Sequence, residues 1–198
     1  MKQEAPDADH GAVQPDPAAI LADAERLFDR KAVEAAIDRL AVRLTLAYAE
    51  SRPVLVCVLT GGIMFTGDLL KRLAFPLTLD YLHATRYRGE TEGEEVHWLA
   101  QPVTPLAGRL VLLVDDVLDH GDTLAAARSV LLRQGAAAVH TVVLVDKQRQ
   151  SAKPLQADHV ALKAPDRYLF GRGMDYKGYW RNLDAIYAVA DRSDLTGT

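Results

Sequence analysis

Apolar residues recur along this chain at two spacings, and the way the two alternate predicts its architecture. The stretch DRKAVEAAIDRLAVRLTLAYAE, 29–50, sets Val33, Ile37, Leu40, Leu44 and Ala47 at steps of three and four, the period of a helix with one buried face. Asp29 stands ahead of it, where a carboxylate can accept the amide protons of the first turn. RPVLVCVLTGG, 52–62, is instead a short continuous apolar run ended by glycines, which reads as a buried strand. MFTGDLLKRLA, 64–74, returns to helical spacing; PLTLDYLHATRY, 76–87, reads as a strand, RGETEGEEV, 88–96, as a polar loop, and HWLAQPV, 97–103, as a short strand. RLVLLVDDV, 109–117, is a second buried strand; TLAAARSVLLRQG, 123–135, is a helix closed by Gly135, and AVHTVVLVDK, 138–147, is a third buried strand. Strands that are apolar throughout and alternate with helices predict an α/β fold with a mostly parallel sheet flanked by helices.

The remaining segments add limits. Residues 1–16, MKQEAPDADHGAVQPD, have almost nothing to bury, which predicts a disordered arm ahead of a single domain over 17–198. No internal repeat is visible. With 49% hydrophobic residues the chain can fill a core, while a net charge of −4 and a pI near 5.8 offer no broad basic surface for nucleic acid or an acidic membrane leaflet. No run of eighteen apolar residues exists, the N-terminus lacks the pattern of a signal peptide, and the single cysteine, Cys57, has no partner for an internal disulfide. These features predict a cytoplasmic protein.

In parallel sheets the ligand crevice lies beyond the carboxyl ends of the strands, and this chain places its unusual residues there: LTGG at 59–62, VDDVLDHGDTL at 114–124 and VDK at 145–147. Asp115 and Asp116 end a buried strand, where they are expected to reach solvent, as adjacent carboxylates, which repel unless a cation or hydroxyl donors satisfy them. For these two residues alone, a turn with an N-cap is an equally good structural reading. DHGDTL then runs into a helix, so its amides, the Thr123 hydroxyl and the positive helix end make an anion pocket. A carboxylate pair beside a phosphate cradle suits a sugar phosphate.

VLLVDDVLDHGDTL resembles the phosphoribosyl pyrophosphate (PRPP) motif of type I phosphoribosyltransferases. DKQRQ and DRYLFGRGMDYKGYWRNL further along resemble the purine-binding end of the hypoxanthine-guanine members, and with VLTGGIMFTGDLL and LDYLHATRY the likeness spans about 25–190. The resemblance implies the type I phosphoribosyltransferase fold, with a small hood built from the N- and C-terminal segments. It also implies transfer of a phosphoribosyl group from PRPP to a 6-oxopurine with Mg²⁺ as cofactor, in a homo-oligomer, dimer or tetramer. Asp115 and Asp116 would hold the ribose hydroxyls directly or through the metal. Asp119, His120, Gly121, Asp122 and Thr123 would wrap the 5′-phosphate, with Asp119 also taking the proton from N7 of the base. Lys147 would donate to the oxygen on C6, Tyr168 would stack on the purine, and the backbone near Leu169 would read its edge. Asp175 would hold a second Mg²⁺ with the pyrophosphate, and Arg181 would neutralise that leaving group. Thr60 and Gly61 would offer it backbone contacts, in a loop where this family often has a non-proline cis peptide.

Some positions depart from the pattern. Thr60 stands where many relatives carry lysine and Arg86 where many carry serine, so Arg86 is a pyrophosphate-binding candidate in its stead. Asp122 adds a carboxylate to the phosphate loop and is expected to point outward. RYRGETEGEEV, 86–96, suits a lid that closes over ligand or a solvated hairpin tip. His83, His97, His120, His140 and His159 lack metal-ligand spacing, and no G-x-x-x-x-G-K-[ST] loop is present. A xanthine-preferring enzyme and a non-catalytic PRPP-sensing regulator are the alternative readings, the latter lacking a basic face.

Overall fold

A computed structural model of the chain describes residues 16–86 and 96–190, so most of the expected arm and most of the expected lid lie outside the described residues. Asp16 belongs to the folded part: its carboxylate accepts from Ala18 N at 3.0 Å and caps helix α1, Pro17–Asp23. Strand β1, Glu25–Phe28, follows, then α2, Arg30–Tyr48, capped by Asp29 accepting from Ala32 N at 2.8 Å. The buried stripe of α2 is Val33, Ala36, Ile37, Leu40, Ala41, Leu44 and Tyr48. Ala47 is exposed, because the stripe drifts to Tyr48 at the next step of four.

The main sheet is built from β2 (Val54–Leu59), β3 (Thr78–Arg86), β4 (Val96–Ala100), β5 (Leu110–Leu118), β6 (Ala138–Gln148) and β7 (His159–Pro165) in the order β4-β3-β2-β5-β6-β7. β3, β2, β5, β6 and β7 run parallel, and β4 lies antiparallel on the edge. Helix α3, Gly62–Leu70, follows β2, and α4, Asp122–Arg133, follows β5.

The unbroken apolar runs have a direct cause here. Along β2, Leu55 faces the cluster formed with α2 and α3, while Val54 and Val56 face the cluster formed with α4; along β5, Leu112 and Val114 take the first side and Val111 and Leu113 the second. Each side chain of these runs therefore has a helix to pack on, and none of them is left facing water. No helix among the described residues is long and apolar enough to cross a membrane.

A second, three-stranded antiparallel sheet joins the two ends of the described chain, in the order β1-β9-β8, where β8 is Leu169–Phe170 and β9 is Ile186–Ala188. Glu25 pairs with Ala188 and Phe28 with Ile186. Strands of two to four residues show no usable period, which is why the hydrophobic pattern did not indicate them. The segment between β8 and β9 is tied to the main body by Arg172. Its guanidinium meets Asp68 of α3 at 2.6 Å and the Asp184 carbonyl at 2.8 Å, with only 6% of the side chain exposed. Replacing Arg172 by Ala leaves Asp68 paired, among the described residues, with Lys71 alone and the Asp184 carbonyl without its donor, and chemical denaturation should show a loss of about 1–3 kcal/mol. Arg172→Lys should recover part of it by keeping the charge.

Candidate functional site

The carboxyl ends of β2, β5 and β6 open onto one cleft of about 510 Å³, closed on one side by the segment from Tyr168 to Arg181. Thr60 and Gly61 line it from the end of β2, Asp115, Asp116, Asp119 and His120 from β5 and its loop, and Gly121 and Thr123 from the start of α4. Lys147, Tyr168, Leu169, Asp175 and Arg181 complete it. Asp122 is the first residue of α4, is exposed and does not line the cleft. Arg86 ends β3, and its side chain lies outside the described residues.

Asp115 and Asp116 lie within β5 and are only 9% and 6% exposed. Asp115 Oδ1 accepts from the Asp116 amide at 2.9 Å, and among the described residues no basic side chain pairs with either carboxylate. Burial first, and then the neighbouring Asp116 charge, hold the Asp115 carboxyl well above its usual range; burial likewise pushes Asp116 to about 6 against the opposing pull of Arg181.

Glycine is required around Asp116 for steric reasons. A Cβ on Gly61 would stand 2.2 Å from Asp116 Oδ2, and one on Gly173, whose φ is +105°, would stand 2.1 Å from the Gly61 carbonyl oxygen. The peptide between Leu59 and Thr60 is cis. Three chain segments thus meet without side chains between them. α4 starts at Gly121 in the left-handed region, φ 96°, and no side chain caps its first turn.

At the other end of the cleft four charges form a ring. Lys147 Nζ lies 3.0 Å from Asp119 Oδ2 and 3.4 Å from Asp166 Oδ1, and Arg149 Nη1 lies 2.9 Å from a carboxylate oxygen of each. Burial raises the Asp119 carboxyl, but Lys147, Arg149 and His120 outweigh it and leave the group below its ordinary value. Asp119 is therefore ionised at neutral pH. Tyr168, half exposed, has its ring edge-on to Tyr176 at 5.5 Å, so one side of it faces the opening. Arg181 bonds Asp175 at 2.6 Å and the Gly173 carbonyl at 2.6 Å, while Asp175 also accepts from Gly178 N at 2.7 Å.

The sequence profile of the phosphoribosyl transferase domain matches residues 23–177. The chain belongs to this phosphoribosyl transferase family. It is 34% identical over 152 residues to a hypoxanthine-guanine phosphoribosyltransferase of Streptococcus pneumoniae, covering 76% of this chain and 84% of that one. It is 33% identical over 166 residues to a hypoxanthine-guanine-xanthine phosphoribosyltransferase of Tritrichomonas foetus, covering 83% and 91%. A solved hypoxanthine phosphoribosyltransferase from Staphylococcus aureus superposes with a TM-score of 0.81 at 27% identity, covering 92% of this chain and 99% of that one.

For this member of the phosphoribosyl transferase family, sequence reasoning missed Arg149, Asp166 and Gly173. Arg149 lies just past the end of β6, where its amide turns back to the Lys147 carbonyl at 3.0 Å, so strand alternation gave no signal for it. Asp166 and Gly173 carry none either, because only the return of the chain after β7 brings them to the cleft.

The acidity of the carboxylate pair has a consequence for stability. An Asp116 carboxyl at about 6 when folded, against 3.8 when unfolded, binds its proton more tightly in the native state. Its contribution is therefore full below about pH 4 and is lost as the pH rises through 6. His159, whose proton affinity burial lowers, acts in the opposite sense, so the comparison is best made with a variant. In the ligand-free protein Asp116→Asn should raise the melting temperature more at about pH 7.5 than at about pH 4.5. Parallel profiles in differential scanning fluorimetry would exclude a proton held there.

Proposed function

We propose that the protein transfers the phosphoribosyl group of PRPP to hypoxanthine or guanine, giving IMP or GMP and pyrophosphate. The observation that carries this reading is the joint occupancy of one cleft by a buried carboxylate pair, an uncapped helix start and the Lys147–Asp119 pair beside Tyr168. The names of the relatives support it, and that of the Tritrichomonas foetus protein makes xanthine the third base to assay.

The carboxylates fit a magnesium-bound diol. They are buried without a basic partner, and among the described residues no three His, Cys, Asp or Glu side chains converge as a metal cage. A cation there takes most of its ligands from diol, phosphate and water, which is the habit of Mg²⁺. When bound, Mg²⁺ supplies charge neutralisation for the diphosphate. Asp115 and Asp116 hold the ribose hydroxyls and the metal, and Asp175 serves a second metal on the pyrophosphate side. The 5′-phosphate sits on the amides of 119–123 at the start of α4.

Purine N9 bonds to C1′ as the bond from C1′ to the pyrophosphate oxygen breaks, and the proton on N7 passes to Asp119. The sugar becomes cationic on the way, so negative charge nearby and a counter-charge on the leaving group lower the barrier. Arg181 and the amides at Thr60 and Gly61 meet that leaving group. Lys147 turns from Asp119 to the C6 oxygen, Tyr168 stacks on the ring, and the Leu169 backbone reads its edge. The small sheet that begins at Leu169 acts as the hood over the base.

With Mg²⁺ and PRPP, Asp119→Asn should lower turnover by about 10²-fold while PRPP affinity by calorimetry stays near wild type. Undiminished turnover would remove Asp119 from the chemistry. Adenine presents an amino group at C6 and leaves the Lys147 ammonium unpaired, so the wild type should strongly prefer hypoxanthine. That preference in kcat/KM should shrink in Lys147→Met; its survival would place base selection elsewhere.

A further inference from the structure

Lys153 sits in the loop after β6, outside the cleft, yet its ammonium reaches back to the ends of two strands. Nζ donates to the Leu118 carbonyl at 2.9 Å, to the Lys147 carbonyl at 2.7 Å and to Asp146 Oδ1 at 2.5 Å. An ammonium has three protons, and here each has an acceptor. The side chain is 13% exposed, so water competes little for those protons.

The placement of the two carbonyls is what matters. Residue-by-residue pairing of β5 with β6 ends at Leu118 and Asp146. The next residues along the chain are Asp119, just past β5, and Lys147 of β6, the pair that bonds across the cleft at 3.0 Å. Past the last registered pair β6 stays held by β7 through Gln148 while the chain after Leu118 has no registered partner in β6, and the Lys153 ammonium bridges the two where the register stops. The same loop has two further anchors: Leu155 is buried, and Pro154 lies where a Cβ on Gly121 would come within 3.4 Å of its ring.

We propose that Lys153 is a positioning residue for base selection: its ammonium, bonded to the backbone at the roots of Asp119 and Lys147, sets the separation and aim of the two groups that meet the purine. The proposal rests on the reading that those two groups face the base. Hydrogen bonds from a charged donor are the strong kind, and few side-chain motions are left to a lysine held by three oxygens. Rate is sensitive to such placement, since a shift of about 1 Å in a reacting group can cost about 10²-fold. Of the groups proposed for PRPP, Asp115 and Asp116 lie before the end of the β5–β6 register, and Thr60, Gly61, Asp175 and Arg181 lie on other segments; only the amides from 119 onward adjoin a carbonyl that Lys153 holds.

The test uses Lys153→Met, which keeps length without donors, Lys153→Gln, which cannot serve three acceptors, and Lys153→Arg, which keeps the charge and several donors. Folding is checked by circular dichroism and melting. Steady-state rates are then taken with PRPP, Mg²⁺ and either hypoxanthine or adenine. In the Met and Gln variants, kcat/KM for hypoxanthine should fall by about ten- to a hundredfold, KM for PRPP should move less than about twofold, and the hypoxanthine-to-adenine ratio should narrow by at least about fivefold. Arg should restore part of that ratio. An unchanged ratio in a folded variant overturns the proposal, as does an equal rise in KM for both substrates. Failure of both neutral variants to fold assigns the ammonium to the fold and overturns it too. The wild-type arm separates the two claims: a wild type that ignores hypoxanthine refutes the base-facing reading itself, whereas an active, selective wild type with equally selective Lys153 variants refutes only the positioning role.

Discussion

Two carboxylates buried at the end of a central strand are the constraint around which the rest is arranged. β5 lies between β2 and β6 and is covered by helices on both faces, so Asp115 and Asp116 cannot turn to bulk water. Burial is the dominant reason that Asp115 sits well above the ordinary carboxyl range and Asp116 at about 6. Gly61 and Gly173 let two backbone segments close on Asp116, since a Cβ on Gly61 would overlap the Asp116 carboxylate and one on Gly173 the Gly61 carbonyl. Stability is given up at that point, and the apolar packing of Val111 to Val114 immediately upstream holds the strand in place against it.

The far end of the cleft solves a different electrostatic problem. Lys147, Arg149, Asp119 and Asp166 form a ring of two cations and two anions, so each charge is compensated although Lys147 is almost wholly buried. In the absence of ligand the two groups proposed to read the base satisfy one another. A base that offers both an acceptor and an acidic proton can replace that contact, whereas one that offers a donor to Lys147 cannot. Arg149 and Asp166 keep Asp119 and Lys147 partnered throughout.

The ends of the chain are brought into the same design. Segment 168–188 leaves the main sheet, lines the cleft, and returns through β9 to pair with β1 near the start of the described chain. Arg172 fixes this excursion to α3, whose first residues follow Thr60 and Gly61. The loop at Thr60 and the segment at Asp175 are therefore joined by one ion pair as well as by the contact of Gly173 with Gly61.

Periodicity and strand-end composition were enough to establish the parallel core, the placement of three strand ends around a crevice and most of the residues that line it. The reason is that these depend on local rules: a run such as VLVCVL is apolar throughout only when both faces are covered, and Asp115, Asp119, Thr123 and Lys147 each sit within a few residues of such a run. What the pattern could not determine was the state of those residues. The sequence suggested carboxylates open to solvent at a strand end; the fold buries both, because the helices and the segment carrying Gly173 close over them. Likewise the ring of Arg149 and Asp166, the tie from Lys153 to the ends of β5 and β6, and the small sheet of β1, β8 and β9 all join residues distant in the chain or too short in span to show a period. Local spacing fixes which way a side chain points along its own element, but only packing between elements decides which charges meet, how dry they are and which protons they keep.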